Sequence, residues 1–142
     1  MTDKELVLEA IEARKNAYAP YSNFCVGAAL LTKDGSVIRG CNIENAAYGP
    51  SNCAERTAFF KAISEGITSF EKIAVVGGKR EESGTANNPF SSFATPCGVC
   101  RQVMREFCSL DFKILVAKSV DEIKGYTLDE LLPDSFGPEN LK

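Results

Sequence analysis

Residues 25–43 read "CVGAALLTKDGSVIRGCNI": two apolar runs flanking Lys33-Asp34-Gly35. That turn signal between strand-like segments predicts an antiparallel hairpin. Upstream, a helix is expected from about Asp3 to Tyr18. Thr2 and Glu5 have the spacing of a capping box, and Val7, Ala10, Ile11 and Ala17 recur at helical intervals until Pro20. Downstream, the turn-rich "ENAAYGPSN" leads into a second helix, "CAERTAFFKAISEG", with Asn52 the expected N-cap and Gly66 just past its end. "KIAVVGG" then reads as a short buried strand. After it come 18 residues without periodicity, 79–96, before a third helix, "CGVCRQVMREFC". The strand "FKILVAK" and a short helix "LDELL" close the pattern, the latter with Thr127 and Glu130 in capping-box spacing and Pro133 as its stop. The order α-β-β-α-β-α-β-α predicts one α/β domain over residues 1–142, a mixed sheet with helices on both faces.

Composition narrows the class. No apolar run approaches the roughly 18 residues of a membrane span, and the acidic, amphipathic start lacks the pattern of a signal peptide. A reducing intracellular setting is therefore expected: the cytoplasm, with the nucleus open to passive entry of a 15.4 kDa protomer. There, six cysteines serve as metal ligands, catalytic groups or buried hydrophobes more readily than as disulfides. The net charge of −3, with Lys79-Arg80 neutralised by Glu81-Glu82, weighs against a polynucleotide partner.

Chemistry concentrates at two helix starts. Cys53 and Glu55 open the second helix, while Cys97 and Cys100, three apart and hence on one face, open the third. Three thiolates favoured by helix dipoles suit zinc, and three protein ligands leave a fourth position open, as in catalytic sites. Glu55 sits too close to a ligand to join the same ion but can reach its water, and the chain has no histidine to carry protons instead. Arg56 and Arg101 each follow a motif, so they are candidates to offset the excess negative charge, Arg56 by a hydrogen bond to a ligand sulfur. Other readings stay open here. Cys25, Cys41 or Cys108 could complete a closed structural site, or Cys97 and Cys100 could form a redox pair. By default those three extra cysteines are small buried hydrophobes. Asn42 and Glu44, taken alone, read as a solvated strand end.

The motifs "YAPYSNFCVGAALL", "GCNIENAAY", "NCAERTA", "PCGVCRQV" and "ELLPDSF", in that order from Tyr18 to Phe136, resemble the small homotetrameric zinc-dependent cytidine deaminases. The resemblance implies an α/β/α sandwich around a five-stranded mixed sheet. It implies one zinc per chain on Cys53, Cys97 and Cys100, with Glu55 as proton shuttle. Asn42 and Glu44 would hold ribose hydroxyls, Phe24 would pack on the pyrimidine, and the Ala54 backbone would meet its polar edge. Tyr48 would lie at the site or at an interface, and Phe136 would reach a neighbouring subunit's site. The implied reaction is hydrolytic deamination of free cytidine and deoxycytidine in pyrimidine salvage, with water added at C4 and Glu55 moving protons to N3 and to the leaving amino group. Deamination of cytosine within single-stranded RNA or DNA is the rival enzymatic reading, and a non-catalytic zinc module the rival from another class.

The segment 79–95 is longer than the family pattern suggests. Disorder or a subunit contact is expected there in preference to a gating lid.

Overall fold

The computed structural model describes residues 1–142. Its sheet begins with the hairpin, β1 (Phe24–Thr32) and β2 (Val37–Cys41), turning at Gly35, whose φ of +92° suits a residue without a Cβ. β3 (Phe70–Lys79) lies antiparallel on the other side of β1. β4 (Lys113–Ser119) is parallel to β3, and β5 (Glu122–Thr127) closes the order β2-β1-β3-β4-β5. The single parallel pair needs a crossover, and α3 (Gly98–Phe107) lies in it.

Strand alternation divides the interior into two cores. Ala28, Leu30, Ile73, Val75, Ile114 and Val116 face α2 (Ala54–Ser64) and α3. Their sequence neighbours Ala29, Leu31, Ala74, Val76, Leu115 and Ala117 face α1 (Asp3–Arg14), which supplies Leu6, Val7 and Ala10. Successive side chains of a strand point to opposite faces, and apolar residues at both parities commit the three central strands to burial on both sides. On the α2 face Phe59, fully buried, meets Phe70 edge-on at 5.0 Å between centroids. Burying such a side chain is worth roughly 1.5–3 kcal/mol.

Two close approaches set the spacing of the layers. A Cβ on Gly27 would overlap the Ala10 carbonyl of α1, and one on Gly40 would overlap the Ala54 carbonyl and stand 2.6 Å from Ala58 N of α2. These glycines let each helix lie against the hairpin, and the second brings the start of α2 down onto β2.

Several boundaries depart from expectation. Helix α1 stops at Arg14 instead of reaching Tyr18, because Tyr18 joins the sheet side: its N–H donates to Asn42 O and its carbonyl accepts from Glu44 N–H. Asn52 is not the cap of α2. Cys53 takes that position, and the Asn52 side chain donates to Thr57 Oγ1. The strand β5 was not foreseen from periodicity. The segment 79–95 is not disordered: Thr85 and Asn88 form a bridge, and Phe90 is buried on the α1 side of the sheet. Both capping boxes form as read, Thr2 with Glu5 and Thr127 with Glu130, the latter on α4 (Leu128–Leu131).

Candidate active site

The excursion between β2 and α2 is closed by a two-way backbone pairing, Ile43 N–H to Asn52 O at 3.0 Å and Asn52 N–H to Ile43 O at 2.9 Å. That pairing places Asn42 and Glu44 beside the start of α2. Cys53 is the N-cap of α2, Cys97 the N-cap of α3, and Cys100 lies within the first turn of α3. Neither capping cysteine accepts a hydrogen bond from the first-turn backbone N–H groups of its helix, so the positive ends of both helix dipoles face the sulfurs. Cys53 Sγ is 3.7 Å from Cys97 Sγ, which is 3.5 Å from Cys100 Sγ, and all three lie within 4.8 Å of one another. Sulfurs bound to tetrahedral zinc at about 2.3 Å would be roughly 3.8 Å apart. The trio fits that ion.

No fourth metal-ligating side chain joins the cluster. Cys25 is buried with Ala17 and Ala19, with Cys41 packed against them, and Cys108 packs against the larger core. This excludes a closed four-cysteine site and leaves one coordination position for a small molecule.

The electrostatics are graded around the sulfurs. Cys53 is brought down to about 5, first by the hydrogen bond from Cys100, with Arg56 and Cys97 adding to it. Cys100 moves the other way, as the donor to Cys53 and as a buried thiol. Arg56 Nη2 donates to Cys53 Sγ at 3.3 Å, in the manner read from the sequence, while its Nε is buried without a hydrogen-bond partner in the chain. Arg101 does not share that role. It turns away and donates to Pro96 O at 2.7 Å and Leu131 O at 2.6 Å, tying α3 to the end of α4. Glu55 is only 4% exposed, and burial pushes its carboxyl up to about 7. A carboxyl poised there can both take and give a proton near neutrality.

A cavity of about 790 Å³ opens over Cys53, Cys97, Glu55 and Arg56. Its size falls in the range of about 300–1,000 Å³ usual for small-molecule sites. Phe24, Asn42, Glu44, Tyr48 and Ala54 all line it. Asn42 is fixed by β1, accepting from Val26 N–H at 2.9 Å and donating to Phe24 O at 2.8 Å. Glu44 Oε1 accepts from Tyr21 N–H at 2.9 Å and Ser22 N–H at 3.1 Å, and its Oε2 accepts from the Ser22 hydroxyl. The Ser22 hydroxyl is the leading cause that holds Glu44 below the usual carboxylate value. Tyr48, at φ +55°, is 78% exposed at the rim. Phe136 lies outside this cavity and is 59% exposed, its carbonyl held by Gln102 Nε2 at 2.9 Å.

Two walls escaped the sequence reading. Val26 lines the cavity beside Phe24, a relation available from period two along β1. The other wall is Ser92–Thr95, the end of the long connection. Its sequence signal was adjacency, since Thr95 and Pro96 run directly into Cys97.

Comparison with known proteins agrees with this geometry. The family model described as "Cytidine and deoxycytidylate deaminase zinc-binding region" matches residues 1–116. A cytidine deaminase of Halalkalibacterium halodurans is 50% identical over 99% of this chain and 98% of its own length. One from Sporosarcina psychrophila is 46% identical over 99% and 96%. The crystal structure of cytidine deaminase from Burkholderia pseudomallei superposes with a TM-score of 0.83 at 44% identity, covering 96% of this chain and all (100%) of that one. That of Mycobacterium tuberculosis gives 0.76 at 36% identity, covering 96% and 99%.

Proposed function

The chain belongs to the cytidine and deoxycytidylate deaminase family and is a zinc-dependent cytidine deaminase, and on that premise we propose which of its residues do the work. Cys53, Cys97 and Cys100 hold one zinc, and Glu55 carries the protons. Zinc held there supplies the Lewis acidity that makes water a usable nucleophile near neutral pH. The observation that carries the assignment is the convergence of three thiols and one buried carboxyl on a single cavity.

The Glu55 carboxylate takes the first proton of the attacking water as its oxygen bonds to C4 of the pyrimidine, and hands that proton to N3. It takes the second proton from the tetrahedral adduct and gives it to the exocyclic amino group. The C4–N4 bond breaks with its electron pair leaving on ammonia, and the C4 carbonyl of uridine remains. Phe24 packs on the base, the Ala54 backbone meets its polar edge, and Asn42 and Glu44 hold the sugar hydroxyls. Both cytidine and deoxycytidine carry a 3′ hydroxyl, so both are substrates. Arg56 is the only Lys or Arg lining the cavity and is occupied by Cys53, so the cavity lining offers no free cation for a polynucleotide backbone.

We further infer a homotetramer with shared sites, in which Phe136 enters a neighbour's cavity. Its exposure outside its own cavity, the exposed Tyr48 at the rim and the buried, unpartnered Nε of Arg56 support that reading. All six cysteines are free, which suits the reducing cytoplasm, and no helix is long and apolar enough to cross a membrane.

The test is uridine formation from free cytidine by purified protein whose zinc has been counted. Turnover with about one zinc per chain is expected. Zinc-loaded protein active on single-stranded oligonucleotide but not on cytidine would overturn the substrate assignment.

A further inference from the structure

Arg14 is a buried cation that neither the metal centre nor the proton transfers use. It ends α1, is 7% exposed and lies outside the cavity. No carboxylate pairs with it: the seven ion pairs of the chain all involve other residues. Its guanidinium is spent on main-chain carbonyls instead. Nε donates to Cys25 O at 2.9 Å, and Nη2 donates to Gly78 O at 3.0 Å and to Lys79 O. Its Cζ stands 4.8 Å from the centroid of the Phe90 ring.

Those partners mark both walls of the nucleoside cavity. Cys25 pairs with Gly78 and Phe24 with Lys79, so the three carbonyls belong to the last rungs of the β1–β3 ladder, where Phe24 emerges into the cavity. Phe90 anchors the other wall. Its ring packs with the α1-side core and its N–H donates to Lys118 O at 3.0 Å. Three residues later Phe93, and then Ala94, pack against the core of the opposite face. The connection therefore passes around the end of the sheet between Phe90 and Phe93. Ala94 arrives beside Phe24: a Cβ built on Gly77 would lie 3.0 Å from Ala94 Cβ and 3.1 Å from Phe24 Cε2. Arg14 sits where the strand end and the crossing segment meet.

We propose that Arg14, acting with Phe90, is a positioning residue that holds the Phe24 wall and the Ser92–Thr95 wall of the nucleoside cavity at their working separation. A planar guanidinium with several donors in fixed directions can bind carbonyls of two strands while its face stacks on a ring, and a lysine ammonium cannot do all of this at once. Both walls line the cavity assigned to the nucleoside, and neither carries a group assigned to proton transfer. Loosening them weakens nucleoside binding and leaves the Glu55 chemistry in place.

The proposal rests on the cytidine deaminase reading, and the test separates the two. Arg14→Met, Arg14→Lys and Phe90→Leu are compared with wild type as zinc-loaded holoenzymes. The readouts are kcat and KM for cytidine and the Kd of the product uridine by calorimetry. Expected is a rise of about tenfold in KM and in the uridine Kd for Arg14→Met, with kcat within about threefold and zinc content unchanged. Arg14→Lys should recover only part of the loss. Arg14→Met combined with Phe90→Leu should fall short of the product of the single effects, because both act on one strap. Folded variants whose KM and uridine Kd stay within about twofold of wild type would overturn the proposal. So would a loss of kcat that tracks the folded fraction at constant KM, the mark of a purely structural role. Should Arg14→Met fail to fold, Arg14→Lys and Phe90→Leu decide by the same criteria. Wild-type protein that leaves cytidine unchanged would overturn the deaminase reading and this proposal with it. Active wild type beside unaltered variants would overturn this proposal alone.

Discussion

Arg56 lies one turn along α2 from Cys53 and donates Nη2–H to its sulfur at 3.3 Å. Three thiolates around a divalent cation sum to one excess negative charge, and this contact draws part of that charge onto a guanidinium. After the hydrogen bond from Cys100, it is the next contact that lowers the Cys53 pKa. Arg56→Ala should therefore weaken zinc retention and lower turnover by about 10–100-fold, the usual cost of losing a group that supports a ligand. Zinc titration against a chromogenic chelator, with kcat measured on the same samples, checks both effects. Unchanged values for both would remove Arg56 from the site's chemistry.

Asp3 joins the first turn of α1 to two adjacent strands. Its carboxylate is 2.7 Å from Lys72 Nζ and 3.1 Å from Lys113 Nζ, and those lysines face each other across β3 and β4. The hydrogen bond from Lys72 is the main cause that holds the Asp3 pKa below 3.8. A folded pKa lower than the unfolded one means stability that is fully present above 3.8 and lost as pH falls through the folded value. Asp3 is partly exposed, so solvent screens the pair and Asp3→Asn should cost only about 0.5–1 kcal/mol at neutral pH. The gap between wild-type and variant urea midpoints should narrow as pH falls below 3.8 and close once Asp3 is protonated in both states.

What the sequence disclosed follows the range of the forces involved. The capping boxes at Thr2 and Thr127 and the turn at Gly35 are local, satisfied within three residues, and all form. The cysteine trio was legible because the spacing of Cys97 and Cys100 states its chemistry before any fold exists. Ala17 continues the helical period of α1, but Tyr18 pairs with backbone more than 20 residues away, and that tertiary pairing ends the helix. The edge strand β5, "EIKGYT", is largely exposed and pairs only with β4, so no apolar alternation marked it. No pattern in the sequence singles out Arg14. Its acceptors lie 11, 64 and 65 residues along the chain, beyond the reach of any pattern. Phe90 and Phe93 gave no sign that the chain crosses from one face of the sheet to the other between them.

Gly40 offers a test of how the fold positions the centre. Its missing Cβ makes room for the backbone of α2 at Ala54 and Ala58, the turn that begins with Cys53 and carries Glu55. Gly40→Ala must push that turn away from β2, because the obstructing atoms are backbone and cannot rotate aside. Overpacking of this kind costs about 1–3 kcal/mol. Zinc content and kcat should fall along with the denaturation midpoint. Gly35→Ala is the control: it is strained by its φ of +92° but remote from the centre, so it should lower stability and leave zinc content unchanged.

Glu55 is the proton carrier proposed for the reaction, and its substitution tests that role. Glu55→Gln keeps the size and the hydrogen-bonding shape of the side chain and removes its ability to exchange a proton. The metal cluster does not include Glu55, so the variant should keep about one zinc per chain. Nucleoside binding should also survive, because the residues proposed to hold it, Phe24, Asn42 and Glu44, are fixed by β1 and the Tyr21–Ser22 backbone and not by Glu55. Turnover should fall by about 10²–10⁴-fold, the usual share of a positioned proton carrier. The pH profile adds a second reading. Only the carboxylate form can take a proton from water, so wild-type kcat should fall on the acid side as Glu55 protonates. The residual activity of Glu55→Gln should lose that limb. Zinc-loaded Glu55→Gln with wild-type turnover would require another proton carrier, and in a chain without histidine the candidates would narrow to the cysteines and the water itself.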